Sequence, residues 1–188
     1  GFSGAKEISS SGLAYFTCSR LTNDSSSFAP LGIVGAVGDV QAQGGLVGLN
    51  REMLALGQKE GSIQARRGLP FFGRETRELR VFLSYATDPY LPGLTGNLDA
   101  CSSFLSGIKI DPEATYSSLT QSETSKLVTA LHERAIQSGL EPWQMKRLVS
   151  EFYIFPGEPS GWEVRDATEF STLLNACGRN EAPQVGID

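Results

Sequence analysis

One carboxylate closes the most apolar stretch of the chain. In "LGIVGAVGDVQAQGG" the run from Leu31 ends at Gly38-Asp39 and gives way to glycine-rich polar sequence. Two kinds of chemistry suit an aspartate there. It can act as a turn or cap residue, or it can present an oxygen ligand to a hard cation from a firm, buried element. A lone carboxylate is not a metal site, because two-cation phosphoester hydrolysis uses several ligands around ions about 3.5 to 4 Å apart. Asp24, Asp88, Asp99, Asp111 and Asp166 all stand in loop or cap contexts that account for them without metal. A second group is basic: Arg66, Arg67, Arg74, Arg77 and Arg80 fall within fifteen positions, interleaved with Phe71 and Phe72. Guanidinium forks match phosphate oxygens and aromatic faces stack on bases, so this segment could border a single-stranded nucleic-acid track. Pairing with Glu75 and Glu78 along an exposed helix explains the same residues more simply. "NACGR" places Asn175 and Arg179 at the end of a helix, where the helix dipole alone accounts for Arg179.

Other chemistries are closed off. The only histidine, His132, lies among charged neighbours at helical spacing, so imidazole-rich metal sites and Ser-His-Asp arrangements have nothing to build on. Cys18, Cys101 and Cys177 are far apart and form no CxxC pair, which points to reduced thiols. With 16 Lys+Arg against 21 Asp+Glu the net charge is -5, so any polyanion contact must use a local patch and not the overall field. No run approaches the roughly 20 apolar residues of a membrane span, and no signal-peptide pattern opens the chain. The expectation is a soluble, cytoplasmic protein with no membrane partner.

The elements that must position these residues follow from periodicity. Glu7 to Leu21 reads as a helix with Ile8, Leu13, Phe16 and Leu21 on one face. Thr22 to Ser27 reads as a polar loop, and Pro30 suits the first turn of a helix over "APLGIVGAVGDVQ". There Gly32, Gly35 and Gly38 make a face that a neighbour can approach closely, although a strand is the competing reading. "GLNREMLALGQKEG" predicts a third helix, followed by a connector and a helix over "ETRELRVFLSYATDPY" that stops at Asp88-Pro89. A short helix runs from Asn97 to Gly107. Tyr116 to Gly139 is amphipathic and starts on Ser122 and Glu123, with Leu127, Val128, Leu131 and Ile136 as its buried stripe. Leu148 to Phe155 alternates like a strand. Asp166 with Glu169 opens a helix that ends at Gly178, and Val185 to Ile187 reads as the start of a further strand.

Taken in order, "GFSGAKEISSSGLAYF", "VGAVGDVQ", "GGLVGLNREML", "RRGLPFFGRETREL", "SYATDPYLPGLTG" and "DATEFSTLLNACGR" resemble the archaeal RecJ-like proteins of the DHH phosphoesterase superfamily. The resemblance covers nearly the whole chain in spaced blocks. It implies an α/β fold, helix-rich in this stretch, made of four pieces. Residues 1–62 would be the C-terminal part of a DHH domain and 63–115 a connector. Residues 116–147 would be a helical insertion, and 148–188 the start of a DHHA1 domain. It further implies manganese or magnesium as cofactor, with Asp39 matching the family's fourth motif, an aspartate at the end of a small-residue apolar helix. The substrate would be single-stranded DNA or RNA, guided by Arg66, Arg67, Arg74 and Arg77, with Asn175 and Arg179 on the substrate-holding side. The Asp-His-His motif is missing from this sequence, as is the glycine-rich, histidine-bearing motif of DHHA1. The chain is therefore expected to be an internal piece, inactive alone, binding no metal tightly, and prone to self-association through surfaces normally covered. A non-catalytic relative that binds the GINS replication complex through the 116–147 insertion is the alternative.

Overall fold

The glycine-spaced run is a helix and not a strand. In the computed structural model, which describes residues 1–22 and 28–187, α1 (Ser10–Leu21), α2 (Ala29–Gly38) and α3 (Gly48–Lys59) pack against one another. Most of the expected polar loop, residues 23–27, lies outside the described residues. Pro30 sits in the first turn of α2, where its fixed φ and missing N–H cost nothing. Each glycine of α2 meets a different neighbour. A Cβ on Gly32 would lie 2.3 Å from Met53 Sδ, and one on Gly35 would lie 2.0 Å from Ser11 Oγ. At Gly38 it would reach Asn175 Nδ2 at 3.4 Å. The small face thus accepts α3, α1 and α8 (Ala167–Arg179) in succession.

The chain forms two units, one of Gly1–Arg66 with Glu151–Asp188, the other of Arg67–Ser150. The chain leaves the first along β1 (Gln64–Gly68) and returns along β2 (Ser150–Ile154), which pair as a two-stranded sheet. The core of the first unit gathers Tyr15, Ile33, Val34, Met53, Leu54 and Tyr153. Its α1 face differs from the one expected: Leu13 and Leu21 are 57% and 80% exposed, while Gly12 and Tyr15 are buried. The reason is that Ser11 and Tyr15 are the residues facing α2: Ser11 Oγ donates to Gly32 O at 3.1 Å, and a Cβ on Gly32 would lie 3.5 Å from Tyr15 Cβ. These contacts rotate Leu13 outward. The predicted terminal strand is instead a short helix, α9 (Pro183–Ile187), laid on α8 with Gly186 against Leu174 and Cys177.

In the second unit, α4 (Leu79–Ser84), α5 (Leu98–Gly107) and α6 (Gln121–Gln137) supply the buried residues Phe82, Leu83, Leu105 and Leu131, Leu94 is buried between elements, and α7 (Pro142–Lys146) buries none of its residues. α4 is much shorter than expected. Its first backbone donors, Leu79 N and Arg80 N, bond to Ala114 O at 2.8 Å and Pro112 O at 3.1 Å, and Glu78 bridges to Thr115. Residues 78–80 are therefore committed to the 112–115 segment and do not continue a preceding helical turn. α5 starts on Asn97, whose side chain accepts from Ala100 N. α6 starts on Thr120, which forms a reciprocal capping box with Glu123. Its buried stripe is Leu127, Leu131 and Ala135, and Ile136, expected inside, is exposed. Steps of four residues keep one face inward, and position 136 lies off that line.

Candidate metal and nucleic-acid residues

Asp39 is exposed and caps the C-terminus of α2, its N–H bonding to Gly35 O at 2.9 Å. The turn that follows has an unusual residue at its left-handed position. Val40 N bonds Val37 O and Gln41 N bonds Ala36 O, both at 3.0 Å, with Val40 at φ 61. Glycine is the ordinary occupant of that site in this paired-bond ending. A β-branched residue there costs about 1–2 kcal/mol and persists only where the surroundings impose it. The surroundings are visible. Asn50, fully buried, donates to Gln41 Oε1 at 2.6 Å and accepts from Ser9 N at 3.3 Å, and Gln41 Nε2 reaches Gly4 O at 3.0 Å. This polar chain clamps the turn after Asp39 between the N-terminal segment and the start of α3. A carboxylate at a helix C-terminus adds to the negative end of the dipole, so a cation is the charge that suits this place.

Asn175 stands on α8 at Gly38, one residue from Asp39, and both it and Arg179, one turn on, are exposed. The first unit therefore brings Asn175 of "NACGR" beside the α2 terminus. The arginines behave less uniformly. Arg66 is exposed in the first unit and donates to Gln64 Oε1 at 2.9 Å, and Arg67, also exposed, opens the second. Arg74 is only 2% exposed, with Nη1 donating to Phe71 O at 3.0 Å and Leu69 O at 3.2 Å. Its guanidinium organises the loop, and a phosphate would have to open the core to reach it. Arg77 lies over two aromatic rings, and Arg80 pairs with Glu78 at 2.7 Å.

Among the described residues no three His, Cys, Asp or Glu side chains gather to hold a metal ion. Asp39 offers one oxygen donor, which is too few for a two-cation centre. His132 is exposed on α6, and the three cysteines are free. Burial pushes the Cys101 thiol up to about 11, against the opposing pull of Arg134, so it is inert at neutral pH. Gln41, Asn50 and Tyr85 were not singled out from sequence. Only the polar character of Gln41 between Val40 and Ala42 could have flagged the clamp. Among the described residues no helix is long and apolar enough to cross a membrane.

Residues 71–149 match the family described as DHH-CID domain. The match supports a relation of this stretch to the DHH superfamily. The chain is also 28% identical over 187 residues to Uncharacterized protein MJ0831 of Methanocaldococcus jannaschii, covering 100% of this chain and 39% of the relative's length.

Proposed function

We propose that this chain is the central segment of a metal-dependent phosphodiesterase that acts on single-stranded DNA or RNA, in the manner of archaeal RecJ-like exonucleases. The observation that carries the reading is Asp39 held at a clamped, strained helix terminus beside Asn175. Strain kept at a solvent-facing carboxylate is the pattern of a positioned ligand more than of a simple turn. Asp39 supplies one oxygen donor toward a manganese or magnesium ion, and the remaining donors come from outside these residues. Asn175 and Arg179, exposed on the same helix, offer an amide and a guanidinium to a phosphate or sugar. The DHH-CID match and the ordered sequence blocks support the same class.

The test uses the parent protein that contains these residues. Asp39→Ala is expected to lower manganese-dependent cleavage of a single-stranded oligonucleotide by at least about a hundredfold while leaving the circular dichroism spectrum unchanged. Cleavage at the parent rate would remove Asp39 from the site. The 188-residue chain by itself is expected to show no turnover. A second reading, a replication scaffold bound by the GINS complex, draws on Ile136 and Trp143, which α6 and α7 expose at 57% and 59%. Capture of GINS subunits that Trp143→Ala abolishes, together with a parent inactive on all single strands, would favour it.

A further inference from the structure

We propose that Phe72, Arg77 and Tyr85 form a stacking platform for one nucleotide of a single-stranded nucleic acid. The inference rests on the nucleic-acid reading above and names where the second unit would hold a strand. Arg77 Cζ lies 4.6 Å from the centroid of Phe72 and 4.7 Å from that of Tyr85. Its course is set by the backbone: Gly73 has φ 96, and a Cβ there would come within 2.4 Å of Arg77 Cδ. Only a glycine lets the arginine lie down across this loop.

What the arginine does not do is as informative. Arg80 pairs with Glu78, and Arg74 is spent on backbone carbonyls. Among the described residues no hydrogen bond or ion pair takes up the side-chain N–H groups of Arg77. A guanidinium whose faces are occupied by rings keeps its in-plane donors for a planar or tetrahedral anion. Beside it Tyr85 is 64% exposed, so with the guanidinium over the ring much of the aromatic surface still faces water. A free donor fork next to an open ring matches a phosphate joined to a planar base. An apolar protein surface would leave the fork unpaired, and free phosphate would leave the ring unused. The second unit carries equal numbers of basic and acidic side chains, nine each. Recognition must then be local, as stacking plus one or two phosphate contacts is.

The experiment measures fluorescence anisotropy of a labelled oligothymidylate titrated with the 188-residue chain at several salt concentrations. Tyr85→Ala is expected to weaken binding about tenfold with little change in salt dependence, because one stacked base is lost and no charge is. Tyr85→Phe keeps the ring and is expected to bind as the unsubstituted chain does. Arg77→Gln is expected to reduce the slope of log affinity against log salt by about 0.7, the loss of one phosphate contact on a single strand. Tyr85→Ala binding within about twofold of the unsubstituted chain would overturn the proposal, as would equal losses for Ala and Phe. If Tyr85→Ala leaves oligonucleotide affinity intact and changes the mass in light scattering, the ring is a protein contact and the proposal fails. An unsubstituted chain that binds no oligonucleotide also ends it. The nuclease reading stands or falls separately, on Asp39→Ala cleavage in the parent.

Discussion

Tyr15 and Tyr153 are both buried in the core of the first unit, and their hydroxyls meet opposite fates. Tyr153 Oη accepts from Leu46 N at 3.1 Å and donates to Glu151 Oε1 at 2.8 Å, an oxygen that also takes Arg51 Nη1 at 2.6 Å. Among the described residues nothing meets Tyr15 Oη. The same substitution should therefore act with opposite sign. Tyr153→Phe orphans a buried N–H and is expected to cost about 1–2 kcal/mol, whereas Tyr15→Phe removes an unsatisfied group and is expected to gain up to about 1 kcal/mol. Urea unfolding midpoints of the two variants check this, and equal shifts would sink it. Burial holds both phenols above the ordinary tyrosine range, with Glu60 adding to it at Tyr15 and Glu151 at Tyr153. A raised folded pKa favours the neutral form, so the stability is intact below about pH 10 and is lost as pH rises further. None of this was legible in the sequence. Asp39 was, because an aspartate after a glycine-spaced apolar run ends a helix whichever role it serves. Val40 was not, since a β-branched residue gives no sign of a left-handed backbone. Arg74 read as exposed because arginines usually are, and the carbonyls that hold it belong to Leu69 and Phe71 in its own loop.

At the scale of elements, the spacing of Gly32, Gly35 and Gly38 announced a close approach, and three neighbours make it. Which neighbours they are depends on long-range packing that periodicity does not carry. That is why Leu13 read as core and Ser11 did not, although Ser11 is seated on α2. Two side-chain caps were legible, Asn97 of α5 and Asp166 of α8, because capping is local chemistry, whereas α6 starts on Thr120 and not on the expected Ser122. β1 was missed because "QARRG" has no alternation and is held by backbone pairing with β2. The α1–α2 contact gives a test of the glycine face. Gly35→Ala places a methyl 2.0 Å from Ser11 Oγ and 2.5 Å from Ser11 Cβ, and overpacking of this kind costs about 1–3 kcal/mol. In a Ser11→Gly background both clashing atoms are gone, so the penalty for Gly35→Ala is expected to fall by more than half. A double-mutant cycle on thermal unfolding measures the coupling, and additive effects would show that the two helices do not meet there.

On the scale of the whole molecule, two independent boundaries coincide. The second unit spans Arg67–Ser150, and the DHH-CID match spans 71–149. The unit is continuous in sequence and holds a core of its own, built on Phe82, whose ring stacks on Tyr116 at 5.3 Å and meets Phe71 edge-on at 5.5 Å. Tyr116 Oη accepts from Leu69 N at 3.2 Å, and Arg74 binds Leu69 and Phe71, so the polar groups buried at its start are satisfied from within. α6 adds Leu127 and Leu131, and Arg134 Nε ties it to Pro92 O at 3.1 Å. The other unit is assembled from both ends of the chain and depends on its two segments finding each other. Residues 67–150 expressed alone are therefore expected to fold, with a helical circular dichroism spectrum and one cooperative thermal transition. In that piece Phe82→Ala is expected to cost about 3–5 kcal/mol, as for a large aromatic removed from a packed centre. A spectrum without helix, or melting without a transition in the unsubstituted piece, would mean that its core is completed by residues outside it. A cooperative piece would also let oligonucleotide binding at Tyr85 be measured without Asp39 or Asn175 present, separating a strand-holding surface from the carboxylate end of α2.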